Sequence, residues 1–162
     1  ARMTPWWRER GLWVAVALSY SVAGAGGALT ELGPWYYALK QPSWKPPDLW
    51  FGPIWSIIFT LAALSGWWAW KATTSAAQRR WVVLLFSLNA LLNLGWSALF
   101  FFYKRPDWAL VEWGALWLSV VFLLVGLRRV SVQAAWLNLP YLVWVSVAGL
   151  LNHANVKLNG PF

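Results

Sequence analysis

Asn89, Asn93 and Trp96 stand four and three residues apart in a stretch that is otherwise largely apolar, a spacing that puts carboxamides and an indole on one face of a helix. Such a face can bind a planar guest, with a ring to stack on and amides for a carbonyl or carboxylate, and it can equally hold two helices together through hydrogen bonds. Both readings stand at this point. Glu112, Asn138 and Asn152 are further polar residues inside apolar runs, and Trp55, Trp117 and Trp144 lie well within runs of their own. Polar groups in hydrocarbon turn toward other helices or toward a cavity, and an indole N–H there needs an acceptor, so a pocket shared between helices is expected. Glu112 reads as structural, in a packing contact or near water. His153 is the only histidine and has no second ligand type beside it, so no metal site is expected. The absence of cysteine excludes disulfides, thiolate metal sites and thiol nucleophiles. No G-x-S-x-G, H-E-x-x-H, phosphate-loop or dinucleotide pattern occurs, which leaves hydrolysis and phosphoryl transfer without support.

The elements that must carry these residues follow from composition. Hydrophobic residues make up 60% of the 162-residue chain and charged residues 11%, against about a quarter charged in soluble domains. Charges cluster at Arg8 and Arg10, at Lys71, Arg79 and Arg80, at Lys104, Arg105 and Asp107, and at Arg128 and Arg129, with long apolar runs between. A helix of roughly 20 residues crosses the hydrocarbon core, so the chain reads as one all-α transmembrane domain over 1–162 with spans at about 12–29, 52–70, 80–103, 107–127 and 132–152. The first run follows a basic segment but lacks a convincing cleavage site and is kept as a helix. Its small residues at 23–28 suit a close helix neighbour or a ligand. Pro106 and Asp107 suit a helix start, and Pro140 is expected to kink the fifth span.

The linker at 30–51 holds Pro34, Pro42, Pro46 and Pro47 among Trp35, Tyr36, Tyr37, Trp44 and Trp50. Fixed φ angles and large rings predict a folded lid with a helical turn near 35–39. The net charge of +8 lies at helix ends, which points to interface anchoring and away from nucleic acid. Many of the 17 tryptophans are at span ends, where Trp6, Trp7, Trp13, Trp67, Trp68, Trp70, Trp81 and Trp108 read as an interface belt. Arg2, Arg8, Arg10, Lys71, Arg79, Arg80, Arg128 and Arg129 outnumber Lys40, Lys45, Lys104, Arg105 and Lys157 on the other side. The positive-inside rule then predicts a cytoplasmic amino terminus and an outward lid.

Residues 35–55 read W-Y-Y-A-L-K-Q-P-S-W-K-P-P-D-L-W-F-G-P-I-W, and this resembles the W-Y-x-x-L-x-x-P-x-W-x-P-P…G-P-x-W segment of the TspO/translocator family of tryptophan-rich sensory proteins. Asn93-Leu94-Gly95-Trp96 ahead of Phe100-Phe101, and Pro140-Tyr141-Leu142-Val143-Trp144 followed by Ala148 and Leu151-Asn152, extend the resemblance over spans two to five. It implies a five-helix bundle, commonly a homodimer in a membrane, with a pocket under the first lid for porphyrins, haem-pathway intermediates, sterols and aromatic drugs. By position, the ligand site would use Tyr36, Trp44, Pro46 and Pro47 of the lid, Trp55 and Phe59 of span two, Asn93 and Trp96 of span three, and Trp144 and Ala148 of span five. The implied function is receptor-like: binding tetrapyrroles and regulating their level or a stress response. Light- and oxygen-dependent porphyrin degradation, with Trp55 and Trp144 as catalytic electron donors, and porphyrin or sterol transport are the alternatives. Porphyrin or haem enters as ligand, no cofactor is required, and lipid and a second copy are the implied partners in a multi-pass bacterial membrane protein. His153 stands where sterol-binding members carry a tyrosine, and Ser97, Ala98 and Leu99 replace a frequent proline, which predicts a straighter third span.

Overall fold

The computed structural model describes residues 5–30 and 32–162; Arg2, counted in the charge asymmetry, lies outside them. The described residues form helices and no strands. A short turn at Trp6–Arg8 precedes α1 (Arg10–Leu29), the lid carries α2 (Pro34–Ala38), and a turn at Asp48–Trp50 leads into α3 (Phe51–Ala72). Then follow α4 (Ala76–Ser97), a π-helical turn at Ala98–Phe102, α5 (Pro106–Gly126), a 3-10 turn at Leu127–Arg129, α6 (Val132–Trp136) and α7 (Leu139–Asn159). Five helical segments are long and apolar enough to cross a membrane, and the chain is an integral membrane protein.

Local chemistry sets the helix starts. The Ser75 hydroxyl accepts from Gln78 N at 3.2 Å while Gln78 Oε1 accepts from Thr74 N at 2.7 Å, a reciprocal cap for α4. Proline opens α2 and α5 as Pro34 and Pro106. The expected belt indoles Trp6, Trp7, Trp13, Trp68, Trp70 and Trp108 are exposed. Trp67 and Trp81 differ, being partly buried, and Trp81 Nε1 donates to Gly126 O at 2.9 Å, tying α4 to α5. Cations at span ends lie over rings: Lys71 is 4.5 Å from the Trp67 centroid, Arg79 5.2 Å from Trp70 and Arg129 5.3 Å from Trp81.

The fifth span departs from expectation. Helix α6 ends at Trp136 and α7 begins at Leu139, so Pro140 lies in the first turn, where its missing N–H costs nothing, and opens a helix that it was expected to kink. Helix α7 also runs on to Asn159, through residues expected to be a polar tail. Its asparagines fold back onto the helix, Asn155 Nδ2 on Leu151 O at 2.8 Å and Asn159 Nδ2 on Asn155 O at 3.0 Å. The third span, where the missing proline suggested a straighter helix, ends in a wider π-helical turn at Ala98–Phe102, and Phe100 and Phe101 there are buried.

Helices α3, α1, α4, α5 and α7 follow one another around the bundle through backbone contacts between successive pairs. The ring closes from α7 to α3 differently, through rings: Phe51 to Trp144 at 5.4 Å, Trp55 to Tyr141 at 6.2 Å and Trp55 to Trp144 at 6.4 Å between centroids. Such bulky side chains keep the two backbones apart and leave room inside. At the end away from the lid, α6 plugs the bundle, and Val120, Leu123, Leu127 and Ala134 are fully buried there.

Candidate ligand-binding site

Between the lid and the α1, α3, α4 and α7 helices lies a cavity of about 420 Å³. The lid above it is cross-linked. Tyr36 Oη donates to Asp48 Oδ1 at 2.7 Å, and Lys45 Nζ donates to the same oxygen at 2.6 Å and to Pro46 O at 3.3 Å. Burial, the bond to Asp48 and its negative charge all push the Tyr36 hydroxyl above the ordinary phenol range, so it stays a donor at any physiological pH. The Tyr36 ring rests 5.9 Å from Phe101 and Trp35 6.1 Å from Phe100, which ties the lid to the widened turn after α4. At the other side, Asn159 bonds both backbone groups of Lys40: Lys40 N donates to Oδ1 at 2.7 Å and Asn159 Nδ2 donates to Lys40 O at 2.9 Å.

The walls are aromatic. Trp96 stacks on Phe100 with centroids 5.1 Å apart, and Trp55 and Phe59 lie 5.7 Å apart on α3. Each polar residue of the α4 face has an interhelical partner. Asn89 Nδ2 donates to Ser119 Oγ at 3.0 Å, Asn93 Nδ2 to Tyr141 Oη at 2.7 Å and Trp96 Nε1 to Asn152 Oδ1 at 3.0 Å, while Asn152 Nδ2 reaches Pro106 O at 2.9 Å. Packing therefore uses this face, yet Asn93 and Trp96 also line the cavity. The Asn93 amide nitrogen carries two hydrogens and the bond to Tyr141 takes one. Other lining residues have groups with no hydrogen-bond partner among the described residues: Trp144 Nε1, Asn155 Oδ1 and Gln41 Oε1. One donor and two acceptors against an apolar, ring-lined wall suit a flat guest with a few polar groups.

Of the residues singled out in the sequence, Tyr36, Trp55, Phe59, Asn93, Trp96, Trp144 and Ala148 line this cavity together. Trp44, Pro46 and Pro47 do not, and Trp44 is 51% exposed. In that segment the inward side chains are Lys45 and Asp48. Trp117 faces α7 instead, its Nε1 donating to Ser146 Oγ at 3.0 Å. Glu112 is not among the cavity-lining residues and packs against Gly95, with both carboxylate oxygens buried and unpartnered among the described residues. Sequence reasoning missed Tyr20, Phe51, Phe100, Phe101 and Asn155 on the wall. It left the role of the small residues at 23–28 open; Ala23, Gly26, Gly27 and Thr30 line the cavity, at the helical spacing i, i+3, i+4 and i+7 that could have revealed it.

The pattern of the TspO/MBR family matches residues 13–157, nearly the whole described bundle. The chain belongs to the TspO/MBR family. It is 39% identical over 153 residues to the tryptophan-rich protein TspO of Chlorobaculum tepidum, covering 90% of this chain and 94% of that one. Protein CrtK of Rhodobacter capsulatus is 32% identical over 151 residues, 91% of this chain and 92% of its own. The human translocator protein is 30% identical over 150 residues, 92% and 88%. The family match takes in the lid and every cavity-lining residue, from Tyr20 to Asn155.

Proposed function

We propose that this TspO/MBR protein is a membrane receptor for planar tetrapyrroles, which it binds beneath the lid and whose level, or the stress response linked to it, it regulates. The observation that carries this reading is the cavity of about 420 Å³ walled by Trp55, Trp96 and Trp144, with polar groups at Trp144, Asn155 and Gln41 that have no partner among the described residues. Small-molecule sites run from about 300 to 1,000 Å³. Flat rings stack on the indoles, and Lys45 at the lid offers a cation to an acidic side group. Sterols and synthetic aromatic compounds share the apolar body and are the competing guests. A homodimer with a cytoplasmic amino terminus and an outward lid belongs to the same reading.

The test is a dark titration of the purified protein with protoporphyrin, followed by tryptophan quenching. Saturable micromolar binding, weakened by Trp55→Phe and by Asn93→Ala but not by Trp108→Phe on the exposed face, supports the reading. Quenching that never saturates, or that all three substitutions leave unchanged, means that porphyrin partitions into the micelle and sinks it. The placement of Trp55 and Trp144 on one wall, 6.4 Å apart, favours a second reading in which illuminated porphyrin takes an electron from them on the way to oxidation by oxygen. Equal loss of porphyrin absorbance under light in wild type, Trp55→Phe and Trp144→Phe would remove that reading.

A further inference from the structure

The rim of the cavity is held unevenly. At the lid, Tyr36 packs on Phe101 and Asn159 holds both backbone groups of Lys40. Between α1 and α3 the packing changes part-way along. Far from the lid, a Cβ on Gly11 would stand 3.4 Å from the Trp67 ring; in mid-helix, Ser19 Oγ donates to Phe59 O at 2.7 Å, and the Tyr20 hydroxyl is bonded to Thr60 and lies 3.3 Å from Ser56 O. From Gly11 to Ser19 the chain advances eight residues, and from Trp67 to Phe59 it retreats eight. One further step of eight sets Gly27 level with Phe51 and Gly52.

Closure fails at that level. Among the described residues, no atom beyond each glycine's chain neighbours and own helix backbone lies within 4 Å of where a Cβ on Gly27 or Gly52 would stand; both are exposed, and both line the cavity. Tyr20, Leu32 and Ser56 are likewise at once exposed and part of the lining. Exposed lining residues on facing stretches of α1, at Tyr20 and Gly27, and of α3, at Gly52 and Ser56, put an open side of the cavity between two spanning helices. Deeper in, Trp144 is 9% exposed and Asn155 3%, with Trp144 Nε1 and Asn155 Oδ1 unpartnered among the described residues.

We propose that the gap between α1 and α3 is a lateral portal through which a flat, apolar ligand dissolved in the membrane enters the cavity while the lid stays shut, with Tyr20 as its sill. This rests on the reading of the cavity as a ligand site. On the α1 rim the Gly27 carbonyl accepts from Thr30 N at 3.1 Å, so this glycine borders lipid without a polar penalty, and a missing pair of side chains leaves a slot that a planar ring system passes edge-on. A ligand that concentrates in the bilayer reaches this slot without first crossing into water.

The experiment uses the full chain in nanodiscs whose lipid is preloaded with protoporphyrin, read in the dark by rapid-mixing tryptophan quenching. Gly27→Phe and, on the facing rim, Gly52→Phe narrow the slot, and Gly24→Phe, on α1 but off the cavity wall, is the control. Because the chain has no cysteine, a disulfide between Lys40→Cys and Asn159→Cys, verified by mass, locks the lid. A barrier placed on the route slows entry from the lipid, so the association rate should fall about tenfold in both slot variants, Gly27→Phe and Gly52→Phe, whatever the new ring at the cavity wall does to Kd. The locked lid and Gly24→Phe should load at close to the wild-type rate. Saturable binding with unchanged association rates in both slot variants, or a locked lid that slows loading as much as they do, overturns the portal alone. A wild type with no saturable binding overturns the ligand-site reading and the portal with it.

Discussion

Around α6, Val120, Leu123, Leu127 and Ala134 are fully buried, and Ser65 and Asn138 knit α3 to the α6 region through bonds of 2.7 Å to Ala134 O and 2.8 Å to each other. Under the lid lies a cavity of about 420 Å³, where polar groups on Trp144, Asn155 and Gln41 have no partner among the described residues. Small and branched aliphatic side chains fill the first region; indoles, phenyl rings and glycines make the second. Within a bilayer, helices gain little from hiding apolar surface from one another, so close packing and hydrogen bonds decide where they meet. The end of the bundle that packs well holds the protein together, which leaves the other end free to stay hollow.

Substitutions that treat the two ends alike should break this contrast or sharpen it. The largest effect is expected from Leu123→Ala, which opens a void in the filled end and should cost about 2–4 kcal/mol of stability. Phe59→Ala on the cavity wall should cost under about 1 kcal/mol, since its ring borders space already, and should weaken ligand binding instead. Thermal unfolding in detergent compares the two; equal losses would mean that the cavity wall is as load-sharing as the core. Next comes adding bulk. A Cβ on Gly126 would stand 3.0 Å from Leu85 and 3.1 Å from Trp81, whereas one on Gly27 meets nothing within 4 Å. Gly126→Leu should therefore destabilise by about 1–3 kcal/mol, and Gly27→Leu should leave the melting temperature unchanged or raise it, because leucine favours the helix over glycine by about 0.8 kcal/mol. The smallest effect belongs to the lid. Asn159→Ala removes both bonds to Lys40 and should leave global stability within about 0.5 kcal/mol, yet speed hydrogen exchange at Lys40 and Gln41 several-fold. Unchanged exchange there would show that the aromatic contacts of Tyr36 and Trp35 hold the lid unaided.

Much of the frame was legible in the sequence. Apolar run length gave the spans, and the ring- and proline-rich linker gave a lid with a helical turn, now α2 at Pro34–Ala38. Periodicity identified the face carrying Asn89, Asn93 and Trp96, but a face does not name its partner, and Ser119, Tyr141 and Asn152 come from other helices. Proline was ambiguous for a physical reason: Pro140 suits the first turn of a helix as well as it breaks an interior, and only the separate cap at Ser131 starts α6 apart from it. The widened turn at Ala98–Phe102 carries no proline or glycine to announce it. On the lid, extended backbone around Pro46 and Pro47 decides which side chains face in, and composition could not tell that Lys45 and Asp48 line the cavity while Trp44 does not.

The most direct measurement of the central claim, that ligand sits in the cavity beneath the lid, is thiol protection in a chain that has no native cysteine. Ala148→Cys places a thiol on the cavity wall, and Trp108→Cys places one on the exposed face. Saturating protoporphyrin should slow maleimide labelling of Ala148→Cys at least about tenfold and leave Trp108→Cys unaffected. Equal labelling of Ala148→Cys with and without porphyrin would contradict the account.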